Sequence, residues 1–492
     1  MSLHNNSIDS KEGKVEDPVV LQDEQVLSQY TFAETKKILR RVDLHLLPLL
    51  MLAYLLKNLD SNIVSYVKTI NTGKSTNILK ELHMTTNEYG YLSTIFTCTF
   101  LAFEVPSNLI LKWSTPRLHF CRIIFLWSVA ACCHAAAKNK GGLYAARAFL
   151  GAFEAGLFRT GILLQMTFWY RPDELAFRMA MITILGQFSN ILDALIAYGL
   201  AYIDGRHGLS GWQWAFIIVG CLGFVLTAFI FLFLPDYPDS PQGRRQFLTL
   251  EEGKFIVDRL PPNSPRQSDA NFDWADVRAA CKDPLTYGFS FILLCQQTGI
   301  AGYTFWLPSI IAGYGFTTTT NAQLLNIPPA VIYIISALSF AWISDHSFKI
   351  PRPVYMLVSL VFLIGTFIGL AVCRNNSGLL TLILLTAIPY AVYQVMVFPW
   401  RSQSTKGSSY ASFAFAFQNS VGQIASIFAA QIFQSKYAPR YTIPYIVCII
   451  FFALALLAVL FTWYFSYDTE KQNRRLAKER RRAGKMDNVV VV

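Results

Sequence analysis

The chain has 492 residues, 53% hydrophobic, 14% aromatic and only 15% charged, with a mean hydropathy of +0.37. Soluble domains carry about 25% charged residues, so this composition excludes an ordinary cytosolic enzyme, a nucleic-acid-binding module and a disordered scaffold. The charge is lopsided, 42 Lys+Arg against 31 Asp+Glu for a net +11, as expected of a membrane protein with basic loops facing anionic lipid.

The first ~40 residues are polar and carry no secretory signal, so the first apolar helix is expected to direct its own insertion. A bilayer core needs roughly 20 apolar residues per helix. Runs of that kind cover residues 44–64, 88–111, 118–137, 142–164, 176–203 and 213–234, then 286–311, 322–343, 354–373, 379–400, 409–433 and 443–466. The expected fold is therefore an all-α membrane protein of twelve spans in two six-helix bundles. Its parts are an N-terminal tail (1–43), a first bundle (44–234), a linker (235–285), a second bundle (286–466) and a basic tail (467–492).

Basic residues set the orientation. Lys36, Lys37, Arg40 and Arg41 precede span one, and eight Lys and Arg follow span twelve between Lys471 and Lys485. An even number of spans puts both ends on one side, so both termini are expected in the cytoplasm. The linker opens with Pro235-Asp-Tyr-Pro-Asp-Ser-Pro, which stops span six. Leu248-Thr249-Leu250-Glu251-Glu252 then reads as the N-cap and acidic first turn of a short surface helix. The nine cysteines lie mostly in apolar runs without metal spacing, and read as small buried hydrophobes. No phosphate-cradling loop, metal constellation or nucleophile–base motif stands out. No cofactor is expected beyond a co-transported proton, and the chain is read as no enzyme.

Several segments resemble a known family. Arg41-Val-Asp-Leu-His-Leu-Leu-Pro-Leu-Leu is similar to the opening of fungal anion:cation symporters of the major facilitator superfamily, the allantoate, nicotinate and pantothenate permease group. Phe103-Glu-Val-Pro-Ser-Asn-Leu, Ala146-Arg-Ala-Phe-Leu-Gly-Ala-Phe-Glu-Ala-Gly-Leu-Phe and Gly211-Trp-Gln-Trp-Ala-Phe-Ile match that group in order, and Gln434-Ser-Lys-Tyr-Ala-Pro-Arg-Tyr resembles its nicotinate branch. The likeness implies twelve spans, alternating access and an organic anion as cargo; plasma-membrane placement and a monomeric state are likewise expected from it. Departures are specific. Asp60-Ser61-Asn62 lacks the arginine usual after the aspartate, although Lys57 stands one turn earlier, and Phe158-Arg159-Thr160 replaces Phe-Pro-Gly.

Charges inside spans cost ~2.5–3.5 kcal/mol each at a helix centre and are expected to face a cavity or one another. Arg147 and Glu154 are seven apart in span four and share a helix face about 10 Å apart. They read as an anion-holding arginine and a proton carrier, or as a structural ion pair with neighbouring helices. Lys57 and Asp60, three apart in span one, are expected to join Arg147 in an anion site, with Asp60 and Asp193 as further proton-coupling candidates. Glu104 and Arg159 are expected to form a cytoplasmic-side gating pair, with Asp345 and Arg352 bracing the gate. The second half has almost no intramembrane charge. Its Gln297, Tyr303, Trp306, Tyr393 and Asn419 are expected to grip the body of a flat ligand, or to hydrogen-bond between helices. The function expected is import of a small organic carboxylate with a proton. The alternatives are a nutrient sensor without transport and an exporter of amphipathic compounds. The lipid bilayer and the small anion are the expected partners, with no nucleic acid.

Overall fold

The computed structural model describes residues 30–482 apart from 112–113, 156–160, 239–246, 261–273, 316–317, 347–349, 404–407 and 439. Span one is the helix Phe32–Val67, started by a capping box in which Thr31 and Glu34 exchange hydrogen bonds. Span two is Thr86–Leu111, span three Pro116–His134 and span four Lys140–Glu154, continued by Leu163–Thr167. Span five is broken at Phe188 into Pro172–Gln187 and Ser189–Leu200, and span six is Gly211–Phe233. The second half follows as Pro284–Gly313, Ile327–His346, Arg352–Val372, Asn376–Gln403, Ser408–Ile432 and Thr442–Arg482. Several starts are written in the sequence: Thr115 before Pro116, Asn139 before Lys140 and Asp283 before Pro284 each cap a helix with a side-chain oxygen.

Among the described residues eight helices are long and apolar enough to cross a membrane on length and composition alone. Spans two, seven and eleven fall outside that group because they mix polar and small residues into the apolar run, and span four because its described helix, Lys140–Glu154, has only 15 residues. Three of those four, spans two, seven and eleven, pack across the boundary between the halves. A helix that turns part of its surface to protein or to a wet crevice has less need of an all-apolar circumference.

The halves repeat one packing scheme. Span one packs on spans five and six, two on four, and three on four and six; span seven packs on eleven and twelve, eight on ten, and nine on ten and twelve. Adding six to each number of the first set yields the second. Each half has its own apolar core, one running from Ile38 to Ile256 and the other from Phe289 to Val459. Between them, span two meets eleven, five meets eight and one meets seven. This is the arrangement of two six-helix bundles facing each other across a pseudo-twofold interface.

Small residues let the helices approach. A Cβ added at Gly151 in span four would stand 2.5 Å from the Phe96 carbonyl oxygen of span two, and one at Gly302 in span seven would overlap the Ala429 carbonyl oxygen of span eleven. No side chain larger than hydrogen fits either crossing.

The linker is divided between the bundles. Its first helix, Leu250–Asp258, has the Thr249 N-cap and acidic first turn expected from sequence, and Glu252 completes a capping box with Thr249. It is more than a surface helix: Phe255 and Ile256 are buried in the first bundle's core. Arg41 pairs with Glu252, and Arg259 grips both oxygens of Glu174 at 2.8 and 2.9 Å. Burial pushes the Glu252 carboxyl up, but hydrogen bonds from Arg41 and the Thr249 amide outweigh that and hold it below the usual range. The second helix, Trp274–Lys282, lies against span eleven, with Ala280 buried beside Tyr410 and Ala414. The basic stretch after span twelve continues that span's helix to Arg482.

Candidate functional site

Span one packs on spans five, six and seven, and its exposure alternates by face. Ala53, Leu56, Leu59 and Asp60 are buried, whereas Tyr54, Lys57, Asn58 and Ser61, at helical i, i+3, i+4 and i+7 spacing, are half-buried. This second face borders span five, where Gly186 leaves room for Tyr54 and Asn58; a Cβ there would stand 2.5 Å from Asn58 Nδ2.

Two ion pairs cross from span one to span four. Lys57 Nζ lies 3.5 Å from Glu154 Oε1, with the lysine side chain 20% exposed and the glutamate sealed at 0%. One turn further, Arg147 Nη1 lies 3.9 Å from Asp60 Oδ2, both nearly sealed at 4% and 1%. The seven-residue spacing of Arg147 and Glu154 thus places both on the face toward span one, as expected, but their surroundings differ. Arg147 is packed between the rings of Phe96 and Phe216, at 6.0 and 5.8 Å. Glu154 is behind Lys57, which alone of the four reaches partly exposed space. Asp60, Glu154 and Asp193 are all buried, with Trp127, Lys57 and Asn62 respectively as their polar neighbours. Asp193 is fully buried in span five, in the electrostatic neighbourhood of Asp60 and Asn62. Asn62 donates to Ser189 and Asn190 at 3.1 and 3.2 Å, tying span one to the break in span five.

The second bundle separates its polar aromatics into two sets. Tyr303 and Tyr393 are buried inside it, Tyr303 against Phe367 and Tyr393 donating to the Ile292 carbonyl at 3.4 Å. Trp306 is also buried and donates to the Ala430 carbonyl at 2.9 Å. Gln297 is half-buried and Asn419 is 6% exposed. Tyr333 in span eight and Tyr390 in span ten are half-buried, with ring centroids 5.2 Å apart. Tyr54 of span one is an electrostatic neighbour of both. Tyr54 and Tyr333 were not singled out by sequence, because one tyrosine in an apolar run carries no sign of which face it occupies.

Polar contacts between the bundles gather at the end opposite the termini. Gln323 donates to Thr69 Oγ1 at 2.6 Å, Thr94 to the Ile427 carbonyl at 3.0 Å, and Gln431 to Thr94 at 3.3 Å. Lys68 Nζ sits 3.7 Å from the Trp306 ring centre. Trp306, expected from sequence to touch ligand, is thus in contact with this closed end. Of the expected gating residues, Arg159 lies outside the described residues, as does the side chain of Asp345. Glu104 is half-buried in span two, and Arg352 donates to the Pro399 carbonyl at 3.0 Å, joining spans nine and ten.

The repeated six-helix packing is matched by similarity across the chain: residues 50–430 match the Major Facilitator Superfamily. The chain belongs to that superfamily. An uncharacterized transporter of Schizosaccharomyces pombe is 27% identical, over 91% of this chain and 87% of its own. The high-affinity nicotinic acid transporter of Saccharomyces cerevisiae is 29% identical, over 69% of this chain and 61% of its own. Among solved structures, a bacterial homolog of the human lysosomal transporter Spinster, in an inward-facing and unoccupied conformation, has the same fold. Its TM-score is 0.67 at 13% identity, covering 87% of this chain and 97% of that one. This major facilitator protein is therefore a multi-pass membrane transporter of the secondary type and not an enzyme, in line with the fungal family resemblance of its motifs.

Proposed function

We propose that this transporter imports a small organic carboxylate together with a proton, by alternating exposure of one site between the two bundles. The observation that carries the reading is the Lys57–Glu154 pair: a lysine with a partly exposed side chain, its ammonium 3.5 Å from a sealed carboxylate. A substrate carboxylate and Glu154 compete for one cation. Protonation of Glu154 releases Lys57 to the substrate, so proton and anion bind together. Asp60 and Asp193, sealed nearby, are the second candidates for the proton. Arg147 acts behind them, holding Asp60 and setting the positive field of the site.

The energetics favour this coupling. A monoanion entering an inside-negative cell climbs ~2.3 kcal/mol per 100 mV. Carrying a proton with it makes the step electroneutral and adds the pH gradient as a driving force. The nicotinic acid transporter among the relatives supports a monocarboxylate cargo. Basic termini support a cytoplasmic placement of both ends, which makes the closed end the outer one. Plasma-membrane placement, a monomeric state and the absence of any cofactor other than the proton complete the reading. Uptake of radiolabelled nicotinate by a host lacking its own carboxylate permeases tests it. Accumulation that rises with external acidity supports it. Binding without accumulation points to a sensor, and lowered cellular label to an exporter; either result overturns it.

A further inference from the structure

The three half-buried tyrosines have no part in the coupling just described, yet one of them, Tyr54, lies one helical turn from its cation and neighbours the other two. Tyr54 precedes Lys57 by three residues on the same face of span one. Tyr333 and Tyr390 come from the opposite bundle, their ring planes tilted by 50° with centroids 5.2 Å apart. Gln394 donates to the Tyr390 hydroxyl at 3.3 Å. The position of Tyr54 depends on Gly186, since any side chain at residue 186 would fall against its ring.

Aromatic rings attract one another in tilted and edge-on arrangements with centroids 4.5–7 Å apart. A third ring entering beside such a pair gains contacts that a saturated ring of the same volume does not. The hydroxyls and the Gln394 amide add hydrogen bonds at the rim of the group. Resting on the anion reading, we propose that Tyr54, Tyr333 and Tyr390 form a ring-selective seat beside Lys57, which makes a flat aromatic monocarboxylate the preferred cargo over aliphatic acids. The carboxylate meets Lys57 of the first bundle while the ring meets tyrosines of both. The cargo therefore bridges the two bundles, and the seat is complete only when they are together.

The test uses two acids of equal charge and similar size, benzoate and cyclohexanecarboxylate, competing against radiolabelled nicotinate for the purified full-length protein. The wild type is expected to bind benzoate about ten-fold more tightly. Tyr333→Leu with Tyr390→Leu should bring that ratio close to one, with cyclohexanecarboxylate binding retained, which also shows that the variant is folded. Should the double variant not fold, Tyr54→Leu in the other bundle gives the same comparison. Equal binding of the two acids by the wild type, or an unchanged preference in a folded variant, overturns the seat and leaves the anion reading standing. Binding of neither acid nor nicotinate by folded wild type overturns the anion reading and the seat with it.

Discussion

Glu154→Gln isolates the coupling step. Lys57 Nζ and Glu154 Oε1 are 3.5 Å apart, and two unit charges at that distance attract by about 5 kcal/mol at an effective dielectric of about 20. A substrate carboxylate approaching Lys57 has to displace that attraction unless the glutamate is protonated. Glutamine keeps the shape of the side chain and removes its charge permanently, so it imitates the protonated state. If under a third of the attraction is recovered, about 1.4 kcal/mol, affinity rises ten-fold. Equilibrium binding of nicotinate to purified protein, in acidic and in alkaline buffer, measures this. On the proposed competition, deprotonation of wild-type Glu154 returns it to Lys57, and affinity should fall as pH rises. The variant should bind at least ten-fold more tightly than wild type in alkaline buffer, with no pH dependence. Glu154→Asp, which keeps a charge, should keep the slope. A Glu154→Gln protein with the wild-type slope would refute the competition between substrate and glutamate.

Other consequences follow from the packing. Arg147→Met leaves Asp60 buried without its cation and should cost about 3–5 kcal/mol, seen as a lowered Tm; Arg147→Met with Asp60→Asn should recover much of it. Gly302→Val drives a side chain into the Ala429 carbonyl of span eleven and should lower stability by at least about 1–3 kcal/mol, whereas Gly313→Ala, with open space around it, should leave Tm unchanged. Cross-linking Thr69→Cys to Gln323→Cys with a short thiol reagent, in a background without the nine native cysteines, should block uptake and release it on reduction, because the bundles must part at this end in each cycle. The Glu252 carboxyl, held low by Arg41, contributes fully above the unfolded value of about 4.3 and loses its contribution as pH falls through its lower folded value. Hydrogen-exchange protection of Leu250–Asp258 should therefore hold at neutral pH and drop only in strong acid.

The spans were legible because each apolar run is bounded by charge, proline or a capping residue. Ends such as Asp283-Pro284 and Thr115-Pro116 fall within a few residues of the sequence estimate. The docking of the linker was not legible: Thr249 announces the helix, but burial of Phe255 and Ile256 depends on where the first bundle offers a groove. In the site, the spacing of Arg147 and Glu154 specified a common face. It did not specify that Phe96 and Phe216 would close over the arginine and leave Lys57 as the accessible cation. Tyr303, Trp306 and Tyr393 stood out as polar aromatics in apolar runs, yet helix rotation turns them into their bundle or toward its closed end. The same rotation brings Tyr54 and Tyr333, unremarkable in sequence, to the boundary between the bundles. Which side of a helix meets water is set by tertiary packing, and a single chain's periodicity does not encode it when most faces are apolar.

The most direct measurement is of proton movement with substrate. Purified protein is reconstituted into liposomes enclosing a pH-sensitive dye, and nicotinate is added outside under conditions that prevent its passive diffusion. Co-transport predicts acidification of the lumen in step with nicotinate entry, with Glu154→Gln exchanging nicotinate and moving no protons. Accumulation of nicotinate against its gradient without any luminal pH change would contradict proton coupling at this site.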